Sequence, residues 1–403
     1  MSNLYLPPEI LDYIAKFLHD DPNTLRDCCL VSQSWVPRAR KHLFADVGLR
    51  TEENLESWKR LFSDPSTSPA HFAKSLYIGC ALAVTAADAE AGSWLKCFVR
   101  IAHLRVEAPE MYLREPVISL IPFCRLLPTV KSLHVKSAGF PPSRIFDLIR
   151  SFPLLEDLAV AGNRDWVDDG DSSDGPLTFD QSSNPPALSG SLKLCLDAGM
   201  KPISSRLLSI PGGIHFRKLT LTWHRREDLL SILELVGKCS HTLESLDITC
   251  YQYGTSIRYL RPRHNLLLFL GDLGLTSFDL SKATGLKDVT FRINSSGSQW
   301  VTIALRTITP KHRDLRRISI SATYFSALIG FGANIDVQEV EKRTVGQWLE
   351  LDRLLAQLWE SHSTPPKIMC RALLRKEKNV RDLMGRLLPE ATRGGTVNLF
   401  DAL

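Results

Sequence analysis

The 403-residue chain lacks a marked excess of either charge: 49 lysines and arginines stand against 44 aspartates and glutamates, a formal net charge of +5. So even a balance, with no basic run interleaved with aromatics, argues against nucleic acid as the partner. Arg258, Arg261, Arg263 and His264 make a local basic patch that reads as a solvated loop. Long apolar runs are missing too. None approaches the ~18 residues that span a bilayer, and no basic region followed by an apolar core opens the chain, so no membrane association is expected. Without a secretory signal, the glycosylation pattern at Asn294, Ser295 and Ser296 carries no weight. The nine cysteines are scattered, with no CxxC pair and no Cys/His cluster at zinc-like spacing. That predicts free thiols in a reducing compartment, cytoplasmic or nuclear, and no structural metal.

Signatures of catalysis are absent as well. Gly330 and Gly332 lack the third glycine of a dinucleotide loop, no GxxxxGK[ST] or GxSxG motif occurs, and the eleven histidines include no HExxH pair. Vicinal Cys28 and Cys29 belong to a helix expected to pack inward. Asp169, Asp171, Ser173 and Asp180 are spaced like a calcium loop, yet Asp174 stands where the turn requires glycine and Asp180 replaces the bidentate glutamate. We therefore expect no enzymatic activity, no cofactor and no metal. A diverged hydrolase on an α/β sheet would need an acid, a base and a nucleophile clustered in a deep pocket.

What is present is 44% hydrophobic residues with 23% charged, ordinary globular usage. Residues 4–44 carry the densest pattern. Ile10, Leu11, Ile14, Phe17 and Leu18 recur at helical spacing on one side of a helix opened by Pro7 and Pro8. Asp21 and Pro22 read as the N-cap and first turn of a second helix that carries Leu25, Cys28 and Cys29 inward. Ser32 is placed to cap a third, on which Trp35, Val36, Ala39, Leu43 and Phe44 face the same way. Three helices in forty residues bury little surface, so apolar residues beginning with Leu6 and Pro7 predict a docking surface.

Leu6-Pro7-Pro8-Glu9-Ile10-Leu11, then Leu25, then Cys29-Leu30-Val31-Ser32 with Trp35, and finally Arg40, Leu43 and Phe44 resemble an F-box, both its LPxEIL opening and its CxLVSxxW centre. Together with the repeating apolar pattern beyond residue 70, this makes the chain resemble an F-box protein of the fungal type with a leucine-rich-repeat-like C-terminal region. The resemblance implies that the motif inserts into a Skp-type adaptor and, through it, joins a cullin ubiquitin ligase. It implies adaptor-binding roles for Leu6, Pro7, Glu9, Ile10, Leu11, Ile14, Leu25, Val31 and Trp35. The alternative is a plain helical hairpin whose apolar face closes the next domain.

Beyond a helix at 52–62 and a turn-rich connector, SDPSTSP, the pattern apolar-x-x-apolar-x-apolar recurs. Its members are Ala73, Leu76, Ile78; Ile101, Leu104, Val106; Val130, Leu133, Val135; Leu155, Leu158, Val160; Phe216, Leu219, Leu221; Leu243, Leu246, Ile248; Leu286, Val289, Phe291; and Leu315, Ile318, Ile320. Leu192 and Leu194 add a ninth without the leading residue. Most intervals lie near ~27 residues, with helices expected at 143–152, 227–239 and 299–307, the period of leucine-rich repeats. Irregular intervals leave a conventional α/β domain open as the alternative. The predicted fold is an α/β repeat: a three-helix F-box at 4–50, a helical linker at 51–70, and a leucine-rich-repeat-like solenoid of parallel strands and outer helices at 71–330. Polar 162–190 and apolar 250–277 are insertions, and 331–403, with a long helix at 345–359, a strand at 367–370 and a helix at 377–388, is a helical cap.

Alternation along a strand sends the residues beside the buried ones to the opposite face. His103, Arg105, His134, Lys136, Lys218, Thr220, Asp247, Asp288, Arg292 and Arg317 are the candidates there for contact with an unknown protein substrate. The expected function is a substrate-recognition subunit of a Skp-cullin-F-box ubiquitin ligase. A leucine-rich-repeat interaction scaffold acting without a ligase is the alternative.

Overall fold

A computed structural model describes residues 6–62, 64, 66–79, 94–108, 127–137, 142–162, 188–196, 200–223, 228–250, 278–293, 298–322, 337–372, 388–390 and 397–401. The chain divides into two compact units, Met1–Ala187 and Leu188–Leu403. Outside the described residues lie nearly all of the insertions at 162–190 and 250–277, including the calcium-like and basic loops. Gly330, Gly332 and all but the last residue of the helix expected at 377–388 lie outside them too.

The first unit opens with helices α1 (Pro8–Phe17), α2 (Pro22–Val31), α3 (Val36–Leu43) and α4 (Glu52–Leu61). Strands β1 (Asp46–Leu49), β2 (Ser75–Ile78), β3 (His103–Ala108), β4 (Ser132–Ser137) and β5 (Asp157–Gly162) pair in sequence order, all parallel, with α5 (Pro142–Arg150) between the last two. The second unit holds β6 (Ser191–Leu196), β7 (Lys218–Trp223), β8 (Ser245–Cys250), β9 (Asp288–Ile293), β10 (Arg317–Ala322), β11 (Lys367–Ala372) and β12 (Val397–Asp401), again parallel and sequential. Its helices are α6 (Lys201–Leu208), α7 (Asp228–Cys239), α8 (Ser298–Arg306) and α9 (Val337–Ser361). Each unit is thus an α/β repeat-like arrangement, and all nine strands expected from the apolar pattern are present.

The register shows why the pattern folds this way. Leu76, Leu104, Leu133 and Leu158 align across the first unit; Leu192, Leu219, Leu246, Val289, Ile318 and Ile368 align across the second. Every one of them is buried, and so are the leading residues Ile101, Val130, Leu155, Phe216, Leu243, Leu286 and Leu315. One residue before β1 to β4 and β6 to β9, a carbonyl accepts from two consecutive N–H groups of the next repeat. Ala102 O takes Lys131 N and Ser132 N, both at 2.9 Å, and Ala45, Lys74, Lys131, Gly190, Arg217, Glu244 and Lys287 behave likewise. Threonine hydroxyls add side-chain ties between repeats, Thr129 donating to Ile101 O at 2.9 Å and Thr242 to Phe216 O at 3.1 Å.

Several boundaries differ from the sequence reading. The sheet begins at Asp46, because Phe44, Val47 and Leu49 already carry the apolar-x-x-apolar-x-apolar spacing inside the stretch assigned to the F-box. Beyond residue 331 the expected strand at 367–370 is present as β11 and the expected long helix as α9, but both β11 and the unexpected β12 pair into the sheet, so this region continues it as well as packing α9 on α8 with Trp348, Leu351, Leu355 and Leu358 buried. Helix α6, with Ile203 and Leu207 buried, was not anticipated. The turn after it needs its glycines, since Gly212 and Gly213 have φ of 85° and 79°.

Three buried side chains give direct tests. His312 is fully buried; its Nδ1 accepts from Thr309 N at 3.1 Å and its Nε2 donates to Leu280 O at 3.0 Å, tying two successive repeats. His312→Ala strands both backbone groups and leaves a cavity, so urea denaturation should show a loss of about 3 kcal/mol. A loss within about 0.5 kcal/mol would mean the tie is unimportant. Burial pushes the thiol of Cys239 up to about 11 and that of Cys370 up to about 12. Both should resist iodoacetamide at about pH 8 in the native chain and react once it is denatured, as read by peptide mapping.

Candidate functional site

The N-terminal helices form because each has its start signal. Pro7 is the N-cap residue of α1 and Pro8 its first residue. Asp21 caps α2, its Oδ1 accepting from Thr24 N at 3.1 Å and its Oδ2 from the Thr24 hydroxyl at 2.6 Å. Those bonds hold the Asp21 carboxyl below its ordinary range. Ser32 does not cap α3: its hydroxyl accepts from Ser34 N at 3.2 Å in a local turn, and the helix begins four residues later, at Val36.

Ala15, Leu25 and Ala39 make the centre of this helical unit, with Leu18, Cys29, Trp35 and Leu43 packed around them. Two alanines in a core of three let the helices approach closely but enclose little else. Arg38 fastens α3 to α1 by an ion pair to Asp12 at 3.0 Å. Phe44 turns away from the position expected for it and joins an aromatic cluster, 6.2 Å from Trp58 and 6.1 Å from Phe62, while Trp58 stacks on Phe98 at 5.6 Å.

α1 carries two apolar stripes where the sequence reading saw one. Leu11, Ala15 and the half-buried Ile14 and Leu18 face inward. Leu6, Ile10, Tyr13 and Phe17, at i, i+4, i+7 and i+11, run along the other side and are exposed by 46%, 45%, 61% and 68%. At the end of α2, Leu30 and Val31 are exposed by 86% and 75%. Of the residues assigned to adaptor binding, Leu6, Pro7, Glu9, Ile10 and Val31 lie on the surface. Ile14 and Trp35 are half-buried, and Leu11 and Leu25 belong to the core. Tyr13 and Phe17, whose rings meet edge to face at 4.8 Å, complete the bare stripe; Phe17 was read as part of the apolar side, and Tyr13, three residues after Ile10, follows at the same helical spacing.

The second candidate surface is the face of each sheet opposite its buried rows. In the first unit His103, Arg105 and Lys136 are exposed there and His134 is half-buried. Tyr77 sits between two guanidiniums, Arg50 at 5.6 Å and Arg105 at 5.1 Å from its ring centre, and donates to Glu107 Oε2 at 2.5 Å. Burial opposes ionisation of Glu107, but Tyr77 and Arg105 outweigh it and hold that carboxyl below its usual range.

In the second unit Lys218, Thr220, Asp247, Asp288, Arg292 and Arg317 share the corresponding face. Asp247 and Arg292 pair at 2.9 Å, as do Asp288 and Arg317. Burial raises the Asp247 carboxyl despite Arg292, and Asp247 Oδ1 is buried with no hydrogen-bond partner. Thr222 and Thr249, which alternation along β7 and β8 also places on this face, are buried. Among the described residues no group of three or more histidines, cysteines, aspartates or glutamates is placed to hold a metal ion, and no helix is long and apolar enough to cross a membrane. Comparison with known proteins gives no match, either to a protein-family model or to a curated sequence.

The two stripes of α1 predict opposite responses to mutation. Leu25→Ala should cost about 2–5 kcal/mol in urea denaturation because it opens a cavity in a minimal core. Tyr13→Ser and Phe17→Ser, on the bare stripe, should shift stability by no more than about 0.5 kcal/mol. A large loss from either would show that the stripe is covered by this chain.

Proposed function

We propose that this protein is the substrate-recognition subunit of a Skp-cullin-F-box ubiquitin ligase, with α1 to α3 as the F-box and the strands and helices after them as a leucine-rich-repeat solenoid. One observation carries the reading: the stripe Leu6, Ile10, Tyr13 and Phe17, with Leu30 and Val31, is apolar and exposed. An apolar stripe of that kind is out of place on a surface that meets only water. Each of these side chains would contribute roughly 1.5–3 kcal/mol on full burial, enough together to hold a partner helix bundle. Residues that carry the F-box resemblance occur both in the unit's core, as Leu25, Cys29, Trp35 and Leu43, and on its bare surface, as Leu6, Ile10, Leu30 and Val31.

The finer reading of the sheets as a solenoid draws on their alternating burial. Parallel sheets in α/β enzymes are covered on both faces, whereas here apolar rows alternate with polar ones, as in β6 and β9. A polar face left beside a helix-covered one is what a stacked repeat array offers to a target protein. The protein itself would be non-catalytic, holding a target beside the transfer machinery and so raising its effective concentration there. It would work in the cytoplasm or nucleus, with adaptor, cullin and target as its partners.

Replacing Leu6, Ile10 and Phe17 together by alanine should abolish co-purification with a Skp-type adaptor while leaving the thermal unfolding transition in place. Undiminished co-purification would refute the adaptor role. An adaptor complex that captures no cullin would instead identify a repeat scaffold acting without a ligase.

A further inference from the structure

The bare side of α1 is complementary to itself. Ile10, Tyr13 and Phe17 share it, with Leu6 leading into the helix, and Glu9 and Lys16, at i and i+7, flank it along one edge. At about 100° per residue these two lie within about 20° of each other around the helix. Both are exposed, Glu9 in the first turn and Lys16 in the last, and among the described residues neither meets an opposite charge. The other charges nearby are taken. Asp12 pairs with Arg38 at 3.0 Å, and just beyond the helix His19 pairs with Asp20 at 3.1 Å.

Opposite charges at the two ends of one edge are matched by the same helix run the other way. A two-fold axis crossing the stripe at the level between Asp12 and Tyr13 sets α1 against α1 of a second copy, antiparallel and isologous. Glu9 and Lys16 then stand about 5 Å to either side of that axis along the helix, so Glu9 of each copy meets Lys16 of the other and the contact is made twice. Ile10 of one copy falls at the level between Tyr13 and Phe17 of the other, against the ring pair that meets edge to face at 4.8 Å. A parallel pair would instead place Glu9 on Glu9 and Lys16 on Lys16, with the helix dipoles aligned side by side; both effects oppose it.

We propose that the chain pairs with a second copy of itself through the α1 stripe, as an antiparallel two-fold dimer whose register is fixed by two Glu9–Lys16 ion pairs. The dimer takes the surface proposed above for the adaptor, but it does not rest on that reading, since it follows from α1 alone. A second copy and an adaptor exclude one another there, so the dimer is the state of the chain without adaptor. Few apolar side chains from each copy make a small interface, and the expected Kd is on the order of 10 µM.

Sedimentation equilibrium of the purified full-length chain, with no adaptor present, tests this over about 1–100 µM. The unmodified chain should pass from monomer to dimer across that range. Glu9→Lys and Lys16→Glu, each turning two attractions into two repulsions, should both weaken the dimer about ten-fold. Their combination, Glu9→Lys/Lys16→Glu, restores opposite charges at both contacts and should return Kd to within about two-fold of the unmodified chain. Tyr13→Ser/Phe17→Ser should leave only monomer. A chain that stays monomeric throughout, a dimer that survives Tyr13→Ser/Phe17→Ser, or a combined variant as weak as either single one would overturn the proposal. Because adaptor is absent, these outcomes bear on self-pairing alone and leave the adaptor role to its own co-purification test.

Discussion

In each unit the structure rests on a register: every strand lies beside the next, in parallel, with the same two positions pointing inward. The shared carbonyl before most strands sets that register, because one oxygen held by two consecutive N–H groups cannot slide by a residue without losing both. A slip of one residue would also turn each Leu, Val or Ile pair to the polar face. Backbone hydrogen bonding and apolar burial therefore demand the same alignment, and strands four to six residues long are enough. Helices α7, α8 and α9 then have a fixed apolar floor to cover, as Trp300 shows by packing 5.1 Å from Phe291.

The N-terminal helices bury their apolar surface in a different way. Their centre is a leucine between two alanines, and a core that small leaves part of each helix without cover. Phe44 resolves one side: as the last apolar residue of the helical stretch and the leading residue of the first strand, it anchors the helices to the aromatic cluster around Trp58. There is consequently no separate linker between helices and sheet. Among the described residues nothing comparable covers the stripe through Ile10 and Phe17, and that asymmetry underlies the functional reading.

On the polar faces the charges largely answer one another. Asp247 with Arg292, Asp288 with Arg317 and Arg105 with Glu107 link neighbouring or same-strand positions, so these residues stiffen the surface as well as offering it. Such exposed pairs add little stability individually. Their greater effect is to leave few strong unpaired charges among the described residues of the face.

Much of the arrangement was legible in the sequence. Parallel strands at Leu104, Leu133, Leu219 or Ile318 follow from an apolar spacing that only one face of a strand can satisfy, and the helices at 228–239 and 298–306 follow from their own periodicity. Start signals such as Asp21 were equally local. The strand at Asp46 was hidden because Phe44, Val47 and Leu49 belong to two patterns at once, and the strand at Val397 because its leading apolar residue is missing, whereas the strand at Lys367 was expected. What no spacing could decide is which of two apolar stripes on α1 turns inward. Leu11 and Ile10 are adjacent, both hydrophobic, and separated only by the 100° turn of a helix; Ala15, Leu25 and Ala39 choose between them by how closely three helices can approach. Local pattern thus determined the elements and their order, while packing in three dimensions determined which surfaces remain for a partner.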